Sequence, residues 1–297
     1  MMHLYYRLRR KIAFLKGEGA WVSRWSAKIM NHKVLSIFKN EFRDNVPPMV
    51  HVEITTDCNY KCPFCAQAKH KRESKYITNR DYDLLIEKLR TVGFSSSLVL
   101  YVDCEPFMHP ELMSFCEKAS RLLPKADVGL QSNGDLIQKS HMDYLASLER
   151  PPLLLIDDYT PGQTITEKIK PWLEFYKGRP FEKRVMFFKR SWNEKLSNFA
   201  GNARGCNSNI SDYNDIICTW PFNSMFLDAD LNAFLCCFDY NHEVVLGSLK
   251  KQSLMEIWTS EPYKMLRASM LESQRKNLRL CKKCDVEWYN LPTHCSK

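Results

Sequence analysis

The chain has 297 residues, 44% of them hydrophobic and 26% charged, with a formal net charge of +9. This is an ordinary globular composition, and the length suits one large domain or two moderate ones. The longest apolar run near the N-terminus, "IAFL", is too short for a signal peptide or a membrane span, so we expect a cytoplasmic protein. Because disulfides are scarce in that compartment, clusters among the twelve cysteines indicate metal ligands.

Residues 1–48 are predicted to form a basic, amphipathic helical extension. Residues 1–45 hold ten Lys or Arg and three Asp or Glu, which is seven of the nine net positive charges. The apolar residues Leu4, Leu8, Ile12 and Leu15 share one helical face. The extension either packs on the main domain or, through residues 1–40, contacts an anionic membrane surface or an acidic substrate. Nucleic-acid binding is not expected, because the rest of the chain has no long basic stripe.

Residues 49–214 alternate between strand-like and helix-like segments. The predicted strands are "MVHVEIT", "SLVLYVD", "ADVGLQS", "PLLLID" and "KRVMFFK". The predicted helices between them are "TNRDYDLLIEKLRTVG", "PELMSFCEKASRLL" and "SHMDYLASLE". This alternation predicts βαβ units, a parallel sheet and an α/β fold that forms a full or partial β/α barrel. Functional residues of such a barrel lie at the carboxyl ends of its strands.

The pattern changes near residue 215, and we predict a smaller α+β domain over residues 215–297. "NSMFLDADLNAFLCCF" is typical of a β-hairpin, and "QSLMEIWTSEPYKMLRASML" is helical.

Three cysteines follow the first predicted strand in the spacing C-x3-C-x2-C, at Cys58, Cys62 and Cys65. A [4Fe–4S] cluster normally has four thiolate ligands, so three would leave one iron open to chelate a small molecule. A zinc site would need a fourth ligand, and paired C-x2-C units are its usual signature. A zinc-stabilised interaction protein without catalysis is therefore the alternative of another class.

The spacing resembles the signature of the radical S-adenosylmethionine (SAM) superfamily, which carries an aromatic residue before the last cysteine. "DCEP" (103–106) is similar to the family's G-G-E-P segment, "QSNG" (131–134) to its T-N-G segment, and "NFAGN" (198–202) to a later one. The resemblance covers residues 49–205 and implies a partial (β/α)6 barrel. The residues that it implies for SAM binding are Phe64, Glu105, Pro106, Ser132, Asn133 and Asp157. The residue that pairs with the SAM carboxylate could be Lys189, Arg190 or Arg204, and the sequence does not decide among them.

The family pattern is broken at Asp103 and Cys104, which stand where the family has two glycines. The backbone there is therefore expected to differ, because glycine reaches conformations that these residues avoid.

A second cysteine set consists of Cys218, Cys236, Cys281 and Cys284. Four thiolates suit either zinc or an iron–sulfur cluster. The surrounding sequence is similar to the SPASM/twitch extension of radical SAM enzymes, in its short form with one auxiliary [4Fe–4S] cluster. One departure is Leu231, where the family has glycine in the hairpin turn. The implied cofactors are thus SAM and two [4Fe–4S] clusters.

The resemblance implies reductive cleavage of SAM to a 5′-deoxyadenosyl radical, which takes a hydrogen atom from a substrate carbon. Twitch enzymes include aminocyclitol dehydrogenases and epimerases, so the expected outcome is oxidation or epimerisation of a small polar substrate, a sugar or aminocyclitol unit. Cys237 and Cys104 are the candidate hydrogen-donor thiols. Modification of a ribosomally made peptide is the alternative within the family.

The expected partners are a one-electron donor such as flavodoxin or ferredoxin and the polar substrate. The basic extension suits a nucleotide-, phosphate- or lipid-carried sugar.

Overall fold

The computed structural model describes residues 46–70, 72–192, 197–203 and 218–285. The predicted helical extension with its membrane contact, and the residues Arg204, Cys206 and Cys295, lie outside this part of the chain. None of the helices that the structure describes has the length and apolar character needed to cross a membrane.

Residues 49–189 contain five strands that alternate with four α-helices. The strands are β1 (Met49–Val52), β2 (Ser97–Val99), β3 (Asp127–Ser132), β4 (Leu153–Asp158) and β5 (Val185–Lys189). The helices are α1 (Asn79–Thr91), α2 (Leu112–Leu122), α3 (Lys139–Ser147) and α4 (Thr164–Tyr176). Thr78 caps α1 by accepting a hydrogen bond from the Asp81 N–H, and Gly93 follows the helix at φ +61°. The first three helices confirm the predicted segments, whereas α4 was not predicted.

The strands form one parallel sheet because their inward residues are apolar. Val50, Val52 and Ile54 are fully buried against helical residues such as Leu85 and Phe115. The sheet order is β5-β4-β3-β2-β1, and each neighbouring pair is parallel. The carboxyl ends of these strands therefore meet at one edge, as the predicted α/β barrel requires.

The sheet continues into the C-terminal region. After the short helix α5 (Trp220–Asn223), the strand β6 (Ser224–Leu227) pairs with β1 in parallel, Met49 opposite Ser224. β6 is therefore the sixth parallel strand of the partial barrel, and its sheet runs across the domain boundary predicted near residue 215. That boundary stays a prediction.

The predicted hairpin is present, and its turn departs from ordinary backbone geometry. β6 pairs antiparallel with β7 (Asn232–Phe234), and β8 (Val245–Ser248) completes the sheet. Leu231 has φ +62° in the turn, the conformation for which glycine is favoured, while its side chain is fully buried. The burial of this leucine offsets its backbone strain.

The predicted C-terminal helical segment is divided into two helices. α6 (Leu254–Trp258) begins with a capping box of Ser253 and Glu256, and α7 (Glu261–Leu271) begins after Ser260. Pro262 in the first turn of α7 explains the break, since proline is favoured there and cannot continue a preceding helix. Short 3₁₀ helices occupy several of the loops: Ala66–Ala68, Pro106–Met108, Pro161–Gln163, Pro180–Arg184, Phe199–Gly201, Arg275–Asn277 and Cys281–Lys283.

Candidate functional site

The first cysteine set lies on one loop at the carboxyl end of β1. The Tyr60 N–H points to Cys58 Sγ at 3.4 Å, and the Cys65 N–H donates to the Cys62 carbonyl at 2.9 Å. Burial raises the pKa of Cys58 to about 11, and burial together with the charge of Cys58 raises that of Cys62 to about 12. The three thiols thus lie near one another in a poorly solvated loop, where a cationic metal centre would stabilise the thiolates.

This loop is tied to the ends of β2 and β3. The Glu105 N–H donates to the Asp57 carbonyl at 2.9 Å. Asn133 Nδ2 donates to Asn59 Oδ1 at 2.8 Å, and Asn59 Nδ2 in turn donates to Asp135 at 2.7 Å. Asn59, inside the C-x3-C segment, was not predicted. The sequence around Asn59 does not indicate this role, because its partners Asn133 and Asp135 lie more than seventy residues later, just after β3.

The predicted SAM-binding residues Glu105, Ser132 and Asn133 are brought together. The carboxylate of Glu105 accepts hydrogen bonds from Ser132 Oγ and the Asn133 N–H, both at 2.8 Å, and from the Phe107 N–H at 3.1 Å. Pro106 begins the short helix that supplies this last donor. Burial raises the pKa of Glu105 to about 7, although these three donors oppose the shift. A buried carboxylate held in this way is suited to an ammonium group.

Gly134, the last residue of "QSNG", occupies a position where its backbone conformation and its close neighbours both favour glycine. It has φ +84°, and a Cβ atom there would lie 2.9 Å from Ile156 Cγ2 and closer still to Ile165. Glycine at this position therefore lets β3 end close against β4 and α4.

The end of β4 holds a second polar group. Gln131 Nε2 donates to Asp157 Oδ2 at 2.7 Å, and Arg190 Nε lies 3.3 Å from Asp157 Oδ1. Phe64 of the cysteine loop lies 4.9 Å from Tyr159, ring centre to ring centre. Asp157 and Phe64 thus lie on the predicted side of the sheet. Of the candidates for the SAM carboxylate, Arg190 pairs with Asp157 and Lys189 is exposed.

A buried ion pair connects the cysteine loop with the hairpin region. Arg72 donates to both carboxylate oxygens of Glu53, once at 2.9 Å and once through a shorter contact. The guanidinium also lies 3.0 Å from His242 Nε2 and 4.3 Å from the ring centre of Tyr240. Burial and the Arg72 charge lower the pKa of His242 to about 3, so this imidazole is neutral. The network was not predicted.

The second cysteine set lines a small, apolar cavity. It is lined by Ala200, Cys218, Cys236, Phe238, Arg275, Leu280, Cys281 and Cys284. All four predicted cysteines are therefore brought together from three separate parts of the chain. Within the described ranges, no three His, Cys, Asp or Glu side chains approach closely enough to hold a single metal ion. The space between the four thiols suits a multi-atom cluster, which spreads its thiolates over several irons.

Arg275 shapes this cavity and is almost fully buried. Its Nη2 donates to the Cys284 carbonyl at 2.6 Å and its Nε to the Cys281 carbonyl at 3.2 Å. Burial raises the pKa of Cys218, and the Arg275 charge opposes that shift. The segment "NFAGN" also borders this cavity, through Ala200. It is held there because the backbone N–H groups of Asn198 and Asp285 each donate to the side chain of the other residue.

The two candidate hydrogen-donor thiols, Cys104 and Cys237, are poorly solvated. Cys104 is buried after β2, and its pKa is raised by burial and by the nearby charge of Glu53. Cys237 is half-buried, and burial and the charge of Asp103 raise its pKa. Both groups are thus thiols rather than thiolates near neutral pH. Cys116 packs in the core of the barrel.

Two family models match the chain. The radical SAM superfamily model matches residues 52–184, and the SPASM model, an iron–sulfur cluster-binding domain, matches residues 218–285. The two matches contain the first and the second cysteine set.

A curated relative aligns over most of the chain. It is the S-adenosyl-L-methionine-dependent 2-deoxy-scyllo-inosamine dehydrogenase of Niallia circulans, 24% identical over 247 residues, which are 82% of this chain and 94% of that enzyme.

Several solved structures share the fold. BtrN in complex with AdoMet and 2-DOIA superposes with a TM-score of 0.72 at 21% identity, covering 85% of this chain and 99% of BtrN. Streptococcus suis SuiB bound to its precursor peptide SuiA gives 0.57 at 13% identity, over 86% and 80% of the two chains. Native anSMEcpe with bound AdoMet gives 0.54 at 14% identity, over 79% and 88%.

Proposed function

Because the chain belongs to the radical SAM superfamily and carries an iron–sulfur cluster-binding domain, we propose that it is a dehydrogenase that oxidises a secondary alcohol of an aminocyclitol or amino sugar. The predicted family, the partial barrel, and SAM and [4Fe–4S] clusters as cofactors are confirmed. The alternative of a zinc-stabilised interaction protein has no support among these matches. The observation that carries the proposal is the four-cysteine cavity in a chain that aligns with a dehydrogenase over 82% of its length.

In the proposed site, Cys58, Cys62 and Cys65 would hold the first cluster, and three protein ligands would leave it able to bind the amino-acid part of SAM. The carboxylate of Glu105 binds the ammonium group, and it is oriented for this by its bonds to Ser132 and Asn133. Phe64, Pro106 and Asp157 lie around the same group of strand ends and complete the proposed SAM site.

Cys218, Cys236, Cys281 and Cys284 hold the second cluster in this proposal. When bound, SAM and the clusters would remove one carbon-bound hydrogen atom from the substrate and accept one further electron from it. The protein must also accept the hydroxyl proton, so that the alcohol loses two hydrogens and two electrons and becomes a ketone.

Epimerisation would instead need a thiol that returns a hydrogen atom to the substrate carbon. Cys104 and Cys237 are the candidate thiols, and their raised pKa values keep them protonated. Epimerisation through either thiol therefore stays a prediction, and it is one outcome of the assay below.

The proposal is tested by anaerobic incubation of the reconstituted enzyme with SAM, a reductant and 2-deoxy-scyllo-inosamine in deuterated water. We expect a new carbonyl, trapped by hydroxylamine and detected by mass spectrometry, with one 5′-deoxyadenosine formed per ketone. Deuterium at the substrate carbon without a carbonyl would indicate epimerisation. Turnover of peptides but of no amino-bearing cyclitol or sugar would favour the peptide-modifying alternative and overturn the proposal.

The remaining partner predictions rest on charge and family resemblance. They are a flavodoxin or ferredoxin as electron donor, a nucleotide-, phosphate- or lipid-carrier on the substrate, and contact of residues 1–40 with a membrane surface. Cytoplasmic location likewise stays a prediction.

The variant Arg275→Leu should destabilise the second cluster. It leaves the part-buried Cys281 carbonyl and the buried Cys284 carbonyl without these donors, at a cost of about 1–3 kcal/mol for each lost bond. Iron content should fall from about eight towards about four per chain, as measured by a colorimetric iron assay. Arg279→Leu is the matched control, since Arg279 is 78% exposed on the same segment. Equal iron in the two variants would show that Arg275 does not support this site.

A further inference from the structure

Carboxylates accumulate at one edge of the sheet, beyond the ends of three neighbouring strands. Glu53 follows β1, Asp228 follows β6, and Asp103 lies four residues beyond β2. The Glu53 N–H donates to the Leu227 carbonyl at 2.8 Å, which extends the β1–β6 pairing to this point. The nearby positive charges among the described residues are Arg72, which is paired with Glu53, and Lys75, which is paired with Asp230. This edge is therefore acidic.

Two of these three carboxylates have their partners within the protein. Glu53 binds the guanidinium of Arg72, and Asp228 accepts hydrogen bonds from the backbone N–H groups of Asp230 and Asn232 at 2.9 and 2.8 Å. Asp103 is only 8% exposed, yet within the described part of the chain no group donates a hydrogen bond to its carboxylate or forms an ion pair with it.

Asp103 differs in this respect from the other buried carboxylates of the described residues. Each of the others accepts at least one hydrogen bond: Glu53, Glu105, Asp157, Asp158, Asp239 and Asp285. The Asp103 oxygens still reach solvent, whereas Asp285 Oδ2 is fully buried without a donor. A carboxylate that faces accessible space and has no protein donor is open to a ligand.

The position of Asp103 is held by the first cysteine loop. Gln67 Nε2 donates both to the Asp103 carbonyl at 2.8 Å and to the Thr56 carbonyl at 3.0 Å. The charge of Asp103 acts on the thiol of Cys65 in the first set and on that of Cys237 beside the second set. Asp103 thus lies close to one thiol of the first set and to Cys237, which directly follows Cys236 of the second set.

The electrostatic surroundings of Asp103 favour the arrival of a cation. Burial and the charge of Glu53 raise the pKa of Asp103 well above its usual value, Arg72 opposes this shift, and Asp239 adds to it. A cationic ligand would offset the burial and stabilise the carboxylate.

We propose that the carboxylate of Asp103 binds the protonated amine of the substrate. This inference rests on the proposed function and names the side chain that would distinguish an amine-bearing substrate from the corresponding polyol. It also gives a reason for the departure from the family's glycine at this position, since glycine would offer no charge.

The test is calorimetric titration of the oxygen-free holoenzyme, loaded with SAM but without reductant. The probes are 2-deoxy-scyllo-inosamine and the cyclitol in which a hydroxyl replaces its amine, together with glucosamine and glucose. We expect the wild type to bind the amine forms about 10- to 100-fold more tightly, as for a charged hydrogen bond. The variant Asp103→Asn should lose this preference and retain its affinity for the hydroxyl forms.

The control variant Asp83→Asn makes the same chemical change on the surface, where the Asp83 side chain is 58% exposed, and should keep the preference. In the absence of ligand, Asp103→Asn should unfold at the same temperature as the wild type or higher, because it removes an unpartnered buried carboxylate. A structural role would give the opposite result. Asp103→Gly, with the family's own residue, provides a second variant for the same titrations.

The failures of the two proposals are distinguishable. Retention of the amine preference by Asp103→Asn, or equal binding of amine and hydroxyl forms by the wild type, would overturn the role of Asp103 even if ketone forms in the dehydrogenase assay. Loss of the preference in the variant, with no ketone from any substrate, would overturn the proposed function and support the amine site.

Discussion

Replacing Cys58, Cys62 and Cys65 together by alanine should abolish SAM cleavage and leave about four irons per chain in place of about eight. The three thiols lie on one loop, and burial raises the pKa of each, so the thiolates depend on the bound metal for stabilisation. Without them no open iron remains for the amino-acid part of SAM. Cleavage is measured as 5′-deoxyadenosine and methionine, by chromatography under anaerobic conditions.

The matched control for this variant is Cys116→Ala. Cys116 is 1% exposed in α2 and packs in the apolar core, so its removal should leave iron content and cleavage unchanged. Persistent cleavage in the triple variant would place SAM chemistry elsewhere and contradict the proposed ligands.

Replacing Cys281 and Cys284 together by alanine should separate SAM cleavage from substrate oxidation. These thiols line the cavity of the second cysteine set. Without them about four irons per chain should remain, bound at the first cysteine set. 5′-deoxyadenosine should still form, whereas ketone should fall to background, because the second electron of the alcohol has no acceptor. The ratio of ketone to 5′-deoxyadenosine is the measurement, and we expect it to fall from one towards zero.

Lys282→Ala is the control here, since Lys282 is exposed between the two cysteines and should not affect the ratio. A double variant that forms ketone at the wild-type ratio would show that the second centre is not the electron acceptor. Its contribution would then be structural.

Local sequence patterns were sufficient for most elements and for both sets of cysteines. Thr78 and Gly93 delimit α1, because a cap and a left-handed glycine act within a few residues of the helix ends. The C-x3-C-x2-C spacing likewise specifies one loop, since all of its members are near neighbours in sequence. Glu105, Ser132 and Asn133 were also predicted, but only from their resemblance to family segments.

Other features depend on pairings between distant segments and have no local signature. The pattern of β6 indicated a hairpin, whereas only its parallel pairing with β1 identified it as the sixth barrel strand. Arg275 was one basic residue among many until its hydrogen bonds to Cys281 and Cys284 were known.

By itself the sequence determined the class of reaction that this protein catalyses, because the cysteine ligands and their short spacings are local properties of the chain. The tertiary structure decided how those groups are completed: which strand ends meet, which carboxylates find donors, and that Asp103 does not. The physical reason is that the energy of a buried charge depends on every group around it, and those groups are brought together only when distant strands pair in the folded chain.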